Sequence, residues 1–105
     1  NDDPGMKEFK AFMAEYLPAE SLNDQSVYGY LESQLLVQTL KKCGNDLTRE
    51  HLMAQAANLK DLNLGLLLPG IKINTSSEDY SPIQQSQLTR FNGQSWVAFG
   101  PVIGE

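Results

Sequence analysis

The residues that could do chemistry are few, and their spacing matches no catalytic pattern. His51 is the only histidine and Cys43 the only cysteine, so paired-histidine sites, internal disulfides and cysteine metal centres are excluded. Glu78 and Asp79 are adjacent in the polar stretch TSSEDYS. Acid–base catalysis needs a pocket that shifts the pKa of one carboxyl, and we expect a solvated turn here instead. Calcium-loop spacing, a phosphate-binding glycine loop and a nucleophile elbow are absent. We therefore expect no enzyme and no metal or cofactor.

Two tyrosines, Tyr28 and Tyr30, are better candidates for a binding role. They flank Gly29 and lie two positions apart, so they cannot share one face of a helix. One ring should face the interior and the other a cleft or an interface. Gly29 inside a helix costs about 1 kcal/mol relative to alanine, which indicates close approach by another segment. Either both rings pack in an ordinary interior, or this turn lines a ligand cleft, where backbone N–H groups and an aromatic ring meet polar organic solutes.

The element that must position these tyrosines is a predicted helix from Asn23 to Gly44. Asn23 or Asp24 can cap its start, because a short side-chain oxygen accepts an unpaired backbone N–H there. Lys41 and Lys42 in the last turn suit the negative end of the helix dipole. Such an apolar helix must pack on a large surface, and we expect much of that surface to lie outside this chain. The apolar residues recur every three to five positions: Val27, Tyr28, Leu31, Leu35, Leu36 and Leu40.

Helices are also predicted on either side of this one. The first covers residues 1–17, capped by Asp3, and Pro18 ends it because the residue before proline is pushed out of the helical region. The third begins after Thr48 and frays near residues 58–61. The apolar stripe of the first helix consists of Met6, Phe9, Phe12 or Met13, and Tyr16.

The pattern changes at residue 63 from helical to extended. Ile71 and Ile73 alternate with polar residues, which predicts a short half-buried strand. A polar strand is predicted over residues 84–91. Asn92-Gly93 then indicates a type I′ hairpin turn, because both residues accept a positive φ.

The returning strand is predicted over residues 94–99, with Gly100-Pro101 breaking it and a short extended segment restarting at residues 102–103. Trp96 and Phe99 on this strand are expected to pack in the core or between elements.

Composition limits the class of protein. The chain has 105 residues, which is enough for one domain with a small core, and 41% of them are hydrophobic. The net charge of −5 and the lack of a Lys/Arg cluster argue against a nucleic-acid partner. No apolar run approaches the roughly 20 residues that a membrane span needs.

The order of segments resembles a known family. DPGMKEFKAFMAEYLP is followed by VYGYLESQLLVQTLKKCGNDLTREHLMAQAANL and then by LLLPGIKINTSSEDYSPIQQSQLTRFNGQSWVAFGPVI. Together they resemble the C-terminal part of type I periplasmic solute-binding proteins of ABC transporters, the Leu/Ile/Val-binding branch. The resemblance implies an α/β fold with two Rossmann-like lobes that close on a ligand. Residues 1–62 would be a helical part of the first lobe, and residues 63–105 a β-hairpin with strands directed to the hinge. We therefore expect a single fragment of a longer receptor.

The resemblance also implies a site, partners and a location. In this family a residue at the start of the matching helix touches the ligand, which here points to Gln25 and Tyr28. The ligand would be a small carboxylate: a branched-chain or other amino acid, or an aromatic acid. The partners would be the cognate ABC transporter permease in the periplasm and the remainder of the parent chain, or further copies in a homo-oligomer. The alternative from a different class is a stand-alone interaction module that docks a protein partner through its apolar helix face.

Overall fold

Three helices precede a two-stranded antiparallel sheet in the part of the chain that the computed structural model describes, residues 3–104. Asn1 and Asp2, which the sequence placed in the first helix, lie outside the described residues. The result is a small mixed helix/strand domain, as expected at the coarse level. The elements are α1 (Pro4–Tyr16), α2 (Asp24–Cys43), α3 (Arg49–Ala56), β1 (Ser86–Phe91) and β2 (Trp96–Ile103).

Side-chain caps fix the start of each helix, as predicted. The side chains of Asp3, Asn23 and Thr48 each accept the N–H of the third residue of their helix, at 2.8, 2.9 and 3.3 Å. At α2 the Ser26 hydroxyl accepts the Asn23 N–H in return, which completes a capping box. Asn23 rather than Asp24 is therefore the cap. Gly44 ends α2 with a φ of 59°, a positive value that glycine adopts readily.

The core lies where α2 and α3 meet the irregular segment that follows α3. Leu59, Leu64 and Ile73 are buried together. Leu31 and Leu35 of α2 pack against this cluster. Burial of such side chains contributes roughly 1.5–3 kcal/mol each, so this cluster holds the helical part together.

Ile71 and Ile73 are both buried, while Lys72 and Asn74 are exposed, as the alternation predicted. The predicted strand is nevertheless wrong, because the segment forms only an isolated bridge between Leu62 and Ile73. Alternating apolar residues determine which side chains are buried, but a β-strand also needs a second strand of similar length to pair with.

Helix α1 packs on α2 through Phe9 and Met13, which are both buried. The ring of Tyr30 meets that of Phe9 edge-on at 5.3 Å between centroids. Met13, rather than Phe12, thus completes the buried stripe of α1, and Tyr30 is the inward-facing member of the tyrosine pair.

Only part of the apolar surface of α2 is covered. Tyr28 is 65% exposed and Leu36 is 54% exposed. The expected close approach to Gly29 is wrong, because a Cβ built there would have no atom within 4 Å. The Gly29 carbonyl accepts a hydrogen bond from the Ser33 hydroxyl, four residues on, at 2.8 Å.

The hairpin turn differs from the predicted type I′. Gly93 has a positive φ of 100°, but Asn92 does not. The Asn92 side-chain oxygen accepts the N–H groups of Gln94 and Ser95, both at 2.9 Å. The loop therefore runs over residues 92–95 and is longer than a two-residue turn. The Asn92 side chain supports it by accepting N–H groups that do not pair with the opposite strand.

The predicted break at Gly100-Pro101 is also wrong, since β2 continues to Ile103. The two residues form a bulge: the register shifts between Gln87 and Thr89, and Gly100 has a φ of 71°. The Gln87 side-chain amide donates to the carbonyls of Phe99 and Gly100, at 2.7 and 3.1 Å. These two hydrogen bonds take the place of strand-to-strand hydrogen bonds that the bulge interrupts.

Trp96 and Phe99 were expected to pack inside and are instead exposed, Trp96 by 71%. The hairpin extends away from the helical part, so its aromatic rings meet mainly each other, as Phe91 and Trp96 do at 5.5 Å. The radius of gyration is 15.9 Å, against about 13 Å for a compact domain of this length.

Candidate functional site

A large surface groove lies between the C-terminal half of α1, the loop after it and the first half of α2. Its volume is about 930 Å³. Phe12, Met13 and Leu17 form one wall, and Tyr30 and Val37 line the opposite side. Clefts of this size with apolar walls and a few polar groups are typical of small-molecule or peptide sites.

Gln25, the first of the two predicted site residues, lines this groove. It is the second residue of α2, directly inside the capping box of Asn23 and Ser26. The cap fixes the backbone of this turn, so the direction in which Gln25 leaves the helix is set by local sequence alone. Its amide can both donate and accept hydrogen bonds.

Tyr28, the second predicted site residue, is not among the residues that line either groove. Tyr30 lines the larger groove instead, with its ring 5.1 Å from that of Phe12. Of the two predicted residues, only Gln25 therefore lines the groove, and Tyr30 lines it as well. The two-residue offset between the tyrosines turns their side chains about 200° apart around the helix.

The polar groups of the groove are mostly committed to α2 itself. The Ser26 hydroxyl belongs to the capping box, and the Ser33 hydroxyl bonds to the Gly29 carbonyl. Gln34 has a buried side-chain oxygen without a hydrogen-bond partner among the described residues. Glu20 is the only charged residue in the described lining. The groove thus offers amides and aromatic rings, while the charge of a carboxylate ligand would need a partner elsewhere.

A second groove of about 410 Å³ lies between α2, α3 and the loop before Pro82. Leu36, Met53 and Tyr80 are exposed along it. Thr75 lies at its base and is buried, with its hydroxyl donating to the Ala56 carbonyl at 2.6 Å. This surface is almost wholly apolar, so it suits an apolar partner surface better than a charged solute.

The residues examined for catalysis stay apart from both grooves. The Thr48 hydroxyl and N–H donate to the Asp46 carboxylate, at 2.7 and 3.2 Å, and hold its pKa below the ordinary 3.8. His51, at 3.7 Å, adds a smaller lowering of that pKa. Asp79 accepts the Ser81 N–H and closes a turn that begins at Ser76. Asp46 thus supports the start of α3, and Asp79 lies in a polar turn, as expected for Glu78 and Asp79.

Over residues 3–104, no cluster of three or more His, Cys, Asp or Glu side chains is arranged to hold a metal ion. None of the helices described is both long and apolar enough to cross a membrane. Cys43 is buried, and its thiol donates to the Thr39 carbonyl at 3.4 Å. It therefore acts as a small buried core residue near the end of α2.

Sequence reasoning missed the groove side of α2. Tyr30, Gln34 and Val37 recur at spacings of four and three, the signal of one helical face. That face was overlooked because Leu31, Leu35 and Leu36 form a stronger apolar pattern on the other sides. A search for mixed polar and aromatic residues at the same spacing would have found it.

Comparisons with protein-family models, with curated proteins and with solved structures find no match to this chain.

Proposed function

We propose that the chain is part of the substrate-binding component of an ABC transporter, a non-enzymatic receptor that captures a small carboxylate solute in the periplasm. The two lobes of such a receptor close over the ligand and present it to a membrane permease. The proposal begins from the ordered resemblance of three segments that together span nearly the whole sequence.

The observation that carries the proposal is the amount of uncovered surface. A monomeric protein of 11.7 kDa is expected to expose about 5,900 Å². This chain exposes 7,901 Å², about a third more. The excess includes apolar side chains on α2, such as Leu36 and Val37, which helices normally bury. Helices with such faces cover the sheet of an α/β lobe, and the two-lobed Rossmann-like fold would supply that sheet.

The groove beside Gln25 supports a solute site in this proposal. Gln25 would hydrogen-bond a polar group of the ligand, and the rings of Tyr30 and Phe12 would pack on its apolar part. Tyr28 is exposed at the same helix end but does not line this groove, so it would contact the ligand only after the lobes close. The ligand's carboxylate and amino groups would be bound by other parts of the receptor, because Glu20 is the only charge in the described lining.

Thermal melting of the full-length gene product tests this function. Amino acids and aromatic acids are added singly, and one class should raise the melting temperature. Ligand at a hundred times its Kd stabilises the bound form by about 2.7 kcal/mol. Gln25→Ala and Tyr28→Ala should each reduce the shift. Tyr80→Ala is the matched control, because Tyr80 is similarly exposed but lines the other groove. A protein whose melting temperature is unchanged by every compound is not this kind of receptor.

The second groove favours the alternative, a stand-alone module that docks a protein partner through its apolar helix face. Leu36, Met53 and Tyr80 expose adjoining apolar surface there, as docking grooves for amphipathic helices do. Mass spectrometry of the native protein separates the two functions. The module predicts a natural product of 105 residues, and the receptor predicts a longer one.

A further inference from the structure

The hairpin of β1 and β2 lacks the support that a two-stranded sheet needs. Each strand pairs only with the other in the described part of the chain, so each keeps one open edge. Side chains on both faces of the hairpin are exposed, among them Leu88 and Val97 on one face and Phe91 and Trp96 on the other. A lone hairpin is at best marginally stable in water, whereas three or more strands with an apolar face are stable.

The two open edges are not equivalent. β2 contains Pro101, which has no N–H to donate, and the bulge at Gly100 bends that strand. Both features protect an edge from pairing. β1 reads SQLTRF, with no proline, no glycine and one charge, Arg90. The fold thus protects the edge of β2 and leaves that of β1 open to another strand.

We propose that the β1 edges of two copies of this chain pair antiparallel about a two-fold axis at Leu88. The product is a four-stranded sheet in the order β2–β1–β1–β2. A two-fold axis perpendicular to the sheet keeps the same face upward in both copies. The pairing inference does not rest on the proposed function.

The register follows from the alternation of side chains. Residues directly opposite each other must lie on the same face, so the axis passes through one residue rather than between two. At Leu88 it sets leucine against leucine, Gln87 against Thr89 of the second copy, and Ser86 against Arg90. An axis at Thr89 would place Arg90 against Leu88 instead. The axis at Leu88 is therefore favoured, because it pairs the two leucines and places each Arg90 opposite a serine.

The chain as a whole exposes more surface than a typical monomer, and the edge of β1, unpaired within the described part of the chain, contributes to that surface. A stable interface takes about 800 Å² from each partner. The exposed 7,901 Å² exceeds the expectation for a monomer of this mass by about 2,000 Å². Because the pairing uses the same edge on both copies, it closes at two and does not continue into a filament.

Analytical ultracentrifugation of the 105-residue chain tests the pairing. The mass should be twice 11.7 kDa. Leu88→Lys should give monomers, because two ammonium groups would face each other at the axis. Val97→Lys should stay dimeric: Val97 is 47% exposed against 48% for Leu88, but it lies on β2. Circular dichroism checks that both variants fold. The proposal would be overturned if the unsubstituted 105-residue chain were a monomer or a larger assembly, or if the dimer survived Leu88→Lys.

A cross-link tests the register without disrupting the fold. In a Cys43→Ala background, Leu88→Cys should form a covalent dimer under a mild oxidant, since residues paired at the axis bring their Cβ atoms within about 5.5 Å. Val97→Cys in the same background should not. Equal cross-linking at both positions, or none at Leu88→Cys, would contradict the assigned axis.

Discussion

Gly5 in the first turn of α1 lies directly against the backbone of Gly65, so closely that a Cβ on Gly5 would collide with the Gly65 carbonyl oxygen. Gly5 is buried, while the helix around it is mostly exposed. The contact joins the start of the chain to the irregular segment after α3, and it fixes the entry of α1 onto the core.

Gly5→Ala should therefore lower the free energy of unfolding by about 1–3 kcal/mol, the usual cost of overpacking. Urea unfolding followed by circular dichroism measures the change. Gly65→Ala is the matched control, since its Cβ would meet only the Gly5 Cα at an ordinary 3.5 Å. An unchanged Gly5→Ala variant would show that α1 does not rest on Gly65.

Gly29→Ala should have the opposite sign and stabilise the chain by about 0.5–1 kcal/mol. Gly29 lies inside α2 with open space where a Cβ would be, so alanine gains helix propensity without a clash. The same urea measurement applies. A destabilised variant would indicate that another segment approaches Gly29 after all.

Thr75 connects the end of α3 to the segment that follows it. Its hydroxyl accepts the Leu59 N–H at 3.0 Å and donates to the Ala56 carbonyl at 2.6 Å. Thr75→Val keeps the shape and leaves both backbone groups unpaired, which should cost about 1–3 kcal/mol. Thr75→Ser retains the hydroxyl and should lose clearly less. Equal losses in the two variants would assign the effect to the methyl group rather than to the hydrogen bonds.

The pKa of Asp46 should respond to the Thr48 hydroxyl. Hydrogen bonds from Thr48 stabilise the carboxylate and lower its pKa in the folded state. The stability from this group is therefore present above pH 3.8 and is lost as the pH falls through the lower folded-state pKa. NMR titration of the carboxyl should show the pKa rising in Thr48→Val and staying low in Thr48→Ser. A pKa that does not change in Thr48→Val would exclude the Thr48 hydroxyl as its cause and leave the Thr48 backbone N–H.

The ends of the helices could be predicted from sequence because their causes are local. Asp3, Asn23 and Thr48 each bond to a residue three positions away, and Gly44 needs only its own φ. The sequence contains both partners within one turn of helix, so the interaction can be inferred without knowing the fold.

The hairpin at Asn92-Gly93 was predicted correctly, but its turn type and its bulge were not. Its turn depends on the Asn92 side chain, and its bulge depends on Gln87, which reaches residues twelve and thirteen positions away. Trp96 was expected inside because large aromatic residues usually are, but burial also needs a surface to pack on. Of the residues that line the larger groove, Gln25 was named only through the family resemblance, and Tyr30 required knowing where α1 lies.

Trp96, the only tryptophan of the chain, lies on the hairpin, and the helical signal comes from α1, α2 and α3. Indole fluorescence and far-ultraviolet dichroism therefore follow different parts of the molecule. Because the hairpin is so poorly anchored, its amide protons should exchange faster than those around Leu59 and Ile73, and the fluorescence transition should come before the loss of helix. One melting temperature would then not describe this chain.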